Sequence, residues 1–124
     1  MPWEFEYLPE SRVLSVRVTG IVDMGSWEPQ LRTSVEEAAK YSCLRYLVDY
    51  RQSSVRMTMA DLYERPKYYT RVGMPHHARI ALVITPPAGE KDFVESVTSN
   101  RGFLVRVFDS PEPALEWLTE GDAR

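Results

Sequence analysis

Thr58 sits where a polar stretch gives way to an apolar-periodic one, inside RYLVDYRQSSVRMTMADLYE, residues 45–64. A hydroxyl at the start of a helix can serve two purposes. It can accept a phosphoryl group, which the orphan amides and the helix dipole stabilise and which Arg51 and Arg56 would hold by charge-assisted hydrogen bonds. Or it can be an N-cap, worth on the order of 1 kcal/mol. Asp49 and Arg51 flank Tyr50 at the end of an apolar run, and period-two alternation puts both side chains on one face. They are candidates for anchoring a polar headgroup or a protein partner; alternatively they pair with each other or cap a neighbouring helix. Tyr63, Tyr68 and Tyr69, with Met57, Met59 and Met74, make the following segment aromatic and methionine-rich. Such a surface suits an adaptable apolar site, either a pocket for a small lipophilic ligand or a subunit interface. The plainer alternative is ordinary core with tyrosines at its rim. The candidate binding residues are therefore Asp49, Arg51, Thr58, Tyr63 and Tyr69, with Thr58 also the candidate phosphoryl acceptor.

Other reactive types carry less. His76 and His77 are adjacent, so in a strand they point to opposite faces, and no further His or Cys cluster completes a metal set. Cys43 precedes an apolar run with no base beside it, which fits a buried thiol better than a nucleophile. Glu90, Asp92 and Glu95 suit a solvated helix face, since an acid–base pair needs burial to separate its pKa values. There is no Gly-rich phosphate loop, no G-x-S-x-G and no dinucleotide fingerprint. No metal or cofactor is expected. An enzyme would need a polar pocket with perturbed titratable groups near Asp49.

The elements that must position these residues follow from periodicity. Trp3, Phe5 and Tyr7 alternate with Glu4 and Glu6, and Val13, Leu14, Val16 and Val18 alternate with polar residues through Thr19. Around Pro9-Glu10-Ser11 these form an antiparallel hairpin, with Gly20 ending its second strand. Ser26 is placed as an N-cap, with Pro29 in the tolerant first turn. Trp27, Leu31, Val35, Ala38 and Ala39 then give an amphipathic helix its inward face. Leu44–Tyr50 is a central strand followed by a polar loop. A helix runs from Thr58 toward Val72 with Met59, Leu62, Tyr63, Tyr69 and Val72 inward; Pro66 predicts a kink or two short helices, and Gly73-Met74-Pro75 closes it. Arg79–Thr85 is a strand covered on both faces. A third helix carries Phe93, Val94 and Val97 and stops at Gly102, and Phe103–Asp109 is the last strand. Ser110-Pro111 opens a final helix with Ala114, Leu115, Trp117 and Leu118 inward and Gly121 at its end.

The expected fold is α/β. One mixed five-stranded sheet, an antiparallel N-terminal hairpin followed by parallel strands, carries about four helices in the order β-β-α-β-α-β-α-β-α. The loop after the third strand then lies at the carboxyl end of the sheet, where open α/β sheets place their sites.

With 124 residues the chain is one domain with one core. A net charge of −3 argues against a nucleic-acid partner. One cysteine allows no internal disulfide. The N-terminal segment MPWEFEYLPESR lacks the pattern of a signal peptide, and no apolar run reaches the roughly 20 residues of a membrane span. The expectation is a soluble cytoplasmic protein.

An ordered set of segments resembles the STAS domain of sporulation-type anti-sigma-factor antagonists, and more narrowly its SpoIIAA-like branch, often grouped with CRAL-TRIO lipid-binding domains. The segments are Val16-Arg17-Val18-Thr19-Gly20, Tyr46-Leu47-Val48-Asp49-Tyr50-Arg51, Ala60-Asp61-Leu62-Tyr63, Arg79-Ile80-Ala81-Leu82-Val83, Asn100-Arg101-Gly102, and Val107-Phe108-Asp109 leading to Glu112, Ala114, Leu115, Trp117 and Leu118. The resemblance implies a non-enzymatic, usually bacterial regulatory or protein-interaction module, with a regulatory protein and a second copy of itself as partners. A small lipophilic-ligand carrier, with a pocket under the second helix, is the alternative. The family's phosphorylated serine lies in Asp-Ser-Ser-Gly at the start of the helix after the third strand. The corresponding residues here, Arg56-Met57-Thr58-Met59-Ala60-Asp61, lack that motif, and Ser53-Ser54 lies earlier without the flanking Asp and Gly.

Overall fold

The computed structural model describes residues 3–56, 58–84 and 104–120, apart from the side chains at 59, 62 and 63. Five strands, β1 (Trp3–Leu8), β2 (Val13–Val22), β3 (Arg45–Val55), β4 (Arg79–Val83) and β5 (Leu104–Phe108), form one sheet in sequence order. β1 and β2 pair antiparallel; every later neighbour is parallel. Three helices are described: α1 (Met24–Ala39), α2 (Met59–Arg71) and α3 (Pro111–Leu118). The expected helix of Phe93, Val94 and Val97 lies outside the described residues, as do Met57, Glu90, Asp92, Glu95 and Gly121. The mixed sheet is thus as expected. Because its strands follow sequence order, nothing reverses at β3, and the crevice that a reversal opens in doubly wound sheets does not arise there.

Strand alternation divides the core in two. On one face Leu14, Val16, Val18, Tyr46, Val48, Tyr50, Ile80 and Leu82 meet Trp27, Leu31 and Ala38 of α1 and Tyr69 of α2. On the other, Val13, Leu47, Ala81 and Val83 meet Ala114 and Leu118 of α3. β4 is buried on both faces, as its continuous apolar run predicts.

Several boundaries differ from the sequence expectation, each for a local reason. β2 does not end at Gly20. Glycine takes φ +79° there without a Cβ penalty, and the strand continues to Val22 opposite Ser53, Ser54 and Val55. For the same reason β3 runs on through the expected polar loop, because backbone pairing with β2 needs no apolar side chains. Between Arg17 and Thr19 the register slips: Arg17 lies opposite Asp49 and Thr19 opposite Gln52. The extra residue is on β3, a bulge at Tyr50-Arg51.

The α1 cap is Asp23, not Ser26. Ser26 is the third residue of a reciprocal capping box, donating its backbone N–H to Asp23 (3.0 Å) while its hydroxyl accepts from Asp23 N (3.1 Å). Pro29 is therefore in the helix interior, where the carbonyl it leaves unpaired belongs to exposed Gly25. The buried stripe is Trp27, Gln30, Leu31, Ser34 and Ala38; Ala39 is exposed, and Gln30 and Ser34 satisfy each other. α2 is a single helix despite Pro66. It closes as expected, in a Schellman motif: Gly73 at φ +82°, with Met74 N–H donating to Tyr69 O and Gly73 N–H to Thr70 O.

Candidate functional site

The five candidate residues do not form one rim. The sheet separates them. Asp49 and Arg51 alternate with buried Tyr50 and share the face of Leu47, the α3 side. Tyr69 is buried on the opposite face, in the core under α1 and α2. Thr58 is exposed at the start of α2, and the Tyr63 side chain lies outside the described residues.

Asp49 and Arg51 bind each other. Arg51 Nη2 donates to Asp49 Oδ2 at 2.8 Å, its Nε to Oδ1 at 3.0 Å, and its backbone N–H to Oδ1 at 3.0 Å. The fork is bidentate, the geometry in which guanidinium and carboxylate match best. The hydrogen bonds from Arg51 hold the Asp49 carboxyl below its usual pKa, against partial burial and with help from the charge of Arg17. Glu112 on α3 adds a favourable charge for Arg51.

This pair sits at the margin of α3, whose Glu112 reaches Arg51, and beside the part of the sheet that α3 leaves open. α3 covers β3, β4 and β5. On the hairpin, Trp3, Phe5 and Tyr7 point into the α1 side, so Glu4 and Glu6 point the other way, paired in register with Arg17 and Ser15. Glu4, Glu6 and Arg17 are exposed. The result is a charged, open β-surface with Asp49 and Arg51 where it meets α3. This hairpin face is charged rather than apolar.

Thr58 is an N-cap. Its hydroxyl accepts from Asp61 N–H at 3.1 Å, and Asp61 Oδ2 accepts from Thr58 N–H at 3.0 Å. The Asp61 carboxylate therefore already occupies the helix terminus that a phosphate on Thr58 would use, and would repel it. Arg51, engaged on the other side of the sheet, does not serve that position.

A pocket under α2 does exist, and it is small. A cavity of about 20 Å³ lies between α1, α2 and the sheet, lined by Trp27, Gln30, Ser34, Tyr50, Arg65 and Tyr69 among others. On this measure one water needs roughly 10–15 Å³, so there is room for one or two and none for an acyl chain. Its wall is polar in places: Gln30 Nε2 donates to Ser34 Oγ (2.9 Å), and Tyr50 O–H to Gln30 Oε1 (3.4 Å). Burial pushes the pKa of the Tyr50 hydroxyl up; the neighbouring Arg65 charge works against that rise. Sequence patterning singled out none of Arg65, Gln30 and Ser34. The missed signal was spacing. Arg65 lies four before Tyr69, and Gln30 and Ser34 lie three and seven after Trp27, so all three fall on inward stripes.

The remaining candidates are plain. Cys43 is buried, its Sγ 3.1 Å from Arg45 O and 3.4 Å from Arg12 O. His76 and His77 occupy the exposed turn before β4. Among the described residues no three His, Cys, Asp or Glu side chains gather as a metal site. No described helix is long and apolar enough to cross a membrane.

No protein-family model matches the chain, and no curated protein matches it in sequence. Solved structures do match in shape. An uncharacterised protein of the DUF3478 family with a SpoIIAA-like fold, from Shewanella loihica, aligns with a TM-score of 0.59 at 16% identity, over 94% of this chain and 91% of that one. The anti-sigma factor antagonist SpoIIAA in its unphosphorylated form aligns with a TM-score of 0.53 at 16% identity, over 95% and 98%. The phosphorylated form of SpoIIAA, the Bacillus cell fate determinant, gives 0.51 at 15%, over 94% and 98%. These likenesses lend nothing to the CRAL-TRIO grouping. Sheet order, helix placement and near-complete mutual coverage together make this the SpoIIAA-like fold.

Proposed function

We propose that this chain is a non-enzymatic regulatory module that works by binding another protein, and that the open charged face around Asp49 and Arg51 is where it binds. The observation that carries the reading is the uncovered β-surface bearing Glu4, Glu6, Arg17, Asp49 and Arg51, on a fold whose solved examples include an anti-sigma factor antagonist. Charges of both signs on a rigid sheet favour specificity and register over raw affinity. The small-ligand alternative has less support: the cavity that the described residues form under α2 measures about 20 Å³, room for one or two waters.

Affinity capture with the wild-type chain and with Arg51→Glu tests this. The expected outcome is one identified protein partner, or a second copy of the chain, that rebinds after purification and binds Arg51→Glu roughly tenfold more weakly or worse. Recovery of no partner, or equal binding by the variant, overturns the proposal. Sedimentation at micromolar concentration separates the two kinds of partner, because self-association gives a dimer without added protein.

A further inference from the structure

Among the described residues, Arg65 is the charged one that is buried. It is 7% exposed, on the inner side of α2. Its guanidinium lies over the Trp27 ring, 4.4 Å from the centroid, and Tyr50 is beside it. No described carboxylate forms an ion pair with it, and its Nε is buried without a protein acceptor. Burying a cation costs several kcal/mol unless it is paired and hydrogen-bonded. The Trp27 face recovers only about 0.5–2 kcal/mol of that.

The guanidinium borders the cavity that Gln30, Ser34, Tyr50 and Tyr69 also line. The guanidinium lies over the Trp27 ring and makes a hydrogen-bonding contact with the Tyr50 hydroxyl, which leaves its buried Nε for an acceptor. The neighbouring side chains are neutral: Gln30 and Ser34 bond each other, and burial keeps Tyr50 protonated. Among the described residues none cancels the positive charge locally. A cavity of about 20 Å³ admits a guest the size of one or two waters.

We propose that this cavity binds a small monovalent anion, of the size of chloride or formate, on the buried edge of Arg65. The anion is a counter-ion that no described residue supplies. It joins α2 to α1 and β3, through Arg65, Trp27 and Tyr50, and so ties helix position to anion occupancy.

The test is thermal unfolding of the full chain in sodium chloride, sodium formate, sodium sulfate or sodium gluconate at matched ionic strength. Chloride or formate should raise Tm saturably, by roughly 4 °C at ten times Kd, while gluconate and divalent sulfate should give only the unsaturable rise of excluded salts. Whichever of chloride and formate saturates at lower concentration identifies the preferred guest. Arg65→Met should abolish the saturable chloride or formate component and leave the general, roughly linear salt effect unchanged. Absence of any saturable rise in chloride or formate, or one that survives in Arg65→Met, overturns the proposal. Should Arg65→Met fail to fold, bromide-soaked wild-type crystals decide instead: an anomalous peak within hydrogen-bond reach of Arg65 Nε supports the site, and ordered water there overturns it.

Discussion

The two faces of the sheet treat an arginine in opposite ways. On the open face Arg51 is half exposed and meets a carboxylate through a bidentate fork. On the covered face Arg65 is buried against an indole, and no described carboxylate pairs with it. Geometry alone would make the first the stronger interaction. Solvent reverses the ranking: an exposed ion pair is worth about 0–1 kcal/mol, whereas a buried charge governs its surroundings. The open face thus has charges to spend on a partner at little cost to folding, and the covered face is where stability is decided.

The largest expected effect is on the covered face. Trp27 is fully buried, supports Arg65, and meets Tyr68 and Tyr69 edge-on at 5.7 and 5.9 Å. Trp27→Ala should lower stability by about 3–5 kcal/mol in urea unfolding. A loss below about 1 kcal/mol would remove the contrast between the faces.

Next comes the helix that carries Arg65. Thr58→Ala removes one half of a reciprocal cap and should cost about 1 kcal/mol, with Thr58→Ser close to wild type. A serine variant as unstable as the alanine one would point away from the cap.

On the open face the effects shrink. Asp49→Asn should cost about 0.2–1 kcal/mol at neutral pH. The folded carboxyl has a lowered pKa, so its contribution is present above the unfolded value of about 3.9 and fades as pH falls through the lower folded value. The wild-type advantage over Asp49→Asn should therefore vanish on acidification below about pH 4. An advantage that grew in acid would contradict the pairing. The smallest effect is the most pointed. In gluconate, Arg65→Met should unfold within about 1 kcal/mol of wild type or be more stable, because it removes an uncompensated buried charge.

The strands and their pairing were legible because alternation and continuous apolar runs report one-sided and two-sided burial directly, as in Trp3–Leu8 and Arg79–Val83. What escaped was structure carried by the backbone. Gln52, Ser53 and Ser54 join β3 through main-chain pairing with β2, which leaves no apolar signature, and the bulge at Tyr50-Arg51 has none either. Gly20 looks like a stop and is a passage. Pro66 suggests a break, yet α2 is one helix whose proline is buried. At the site, the Asp49–Arg51 pairing followed from two-residue spacing. That the sheet divides it from Tyr69 did not, because the bound face of a helix is a tertiary fact. Arg65 escaped because a charged residue at an inward helical position is ordinarily assigned to solvent.

The central claim is that binding uses the open face and leaves the covered one alone. Calorimetric titration of the captured, purified partner into Arg51→Glu and Arg65→Met, side by side with wild type, tests it most directly. The account predicts that Arg51→Glu weakens binding roughly tenfold or more while Arg65→Met binds like wild type. Normal binding by Arg51→Glu together with loss of binding by Arg65→Met would contradict it.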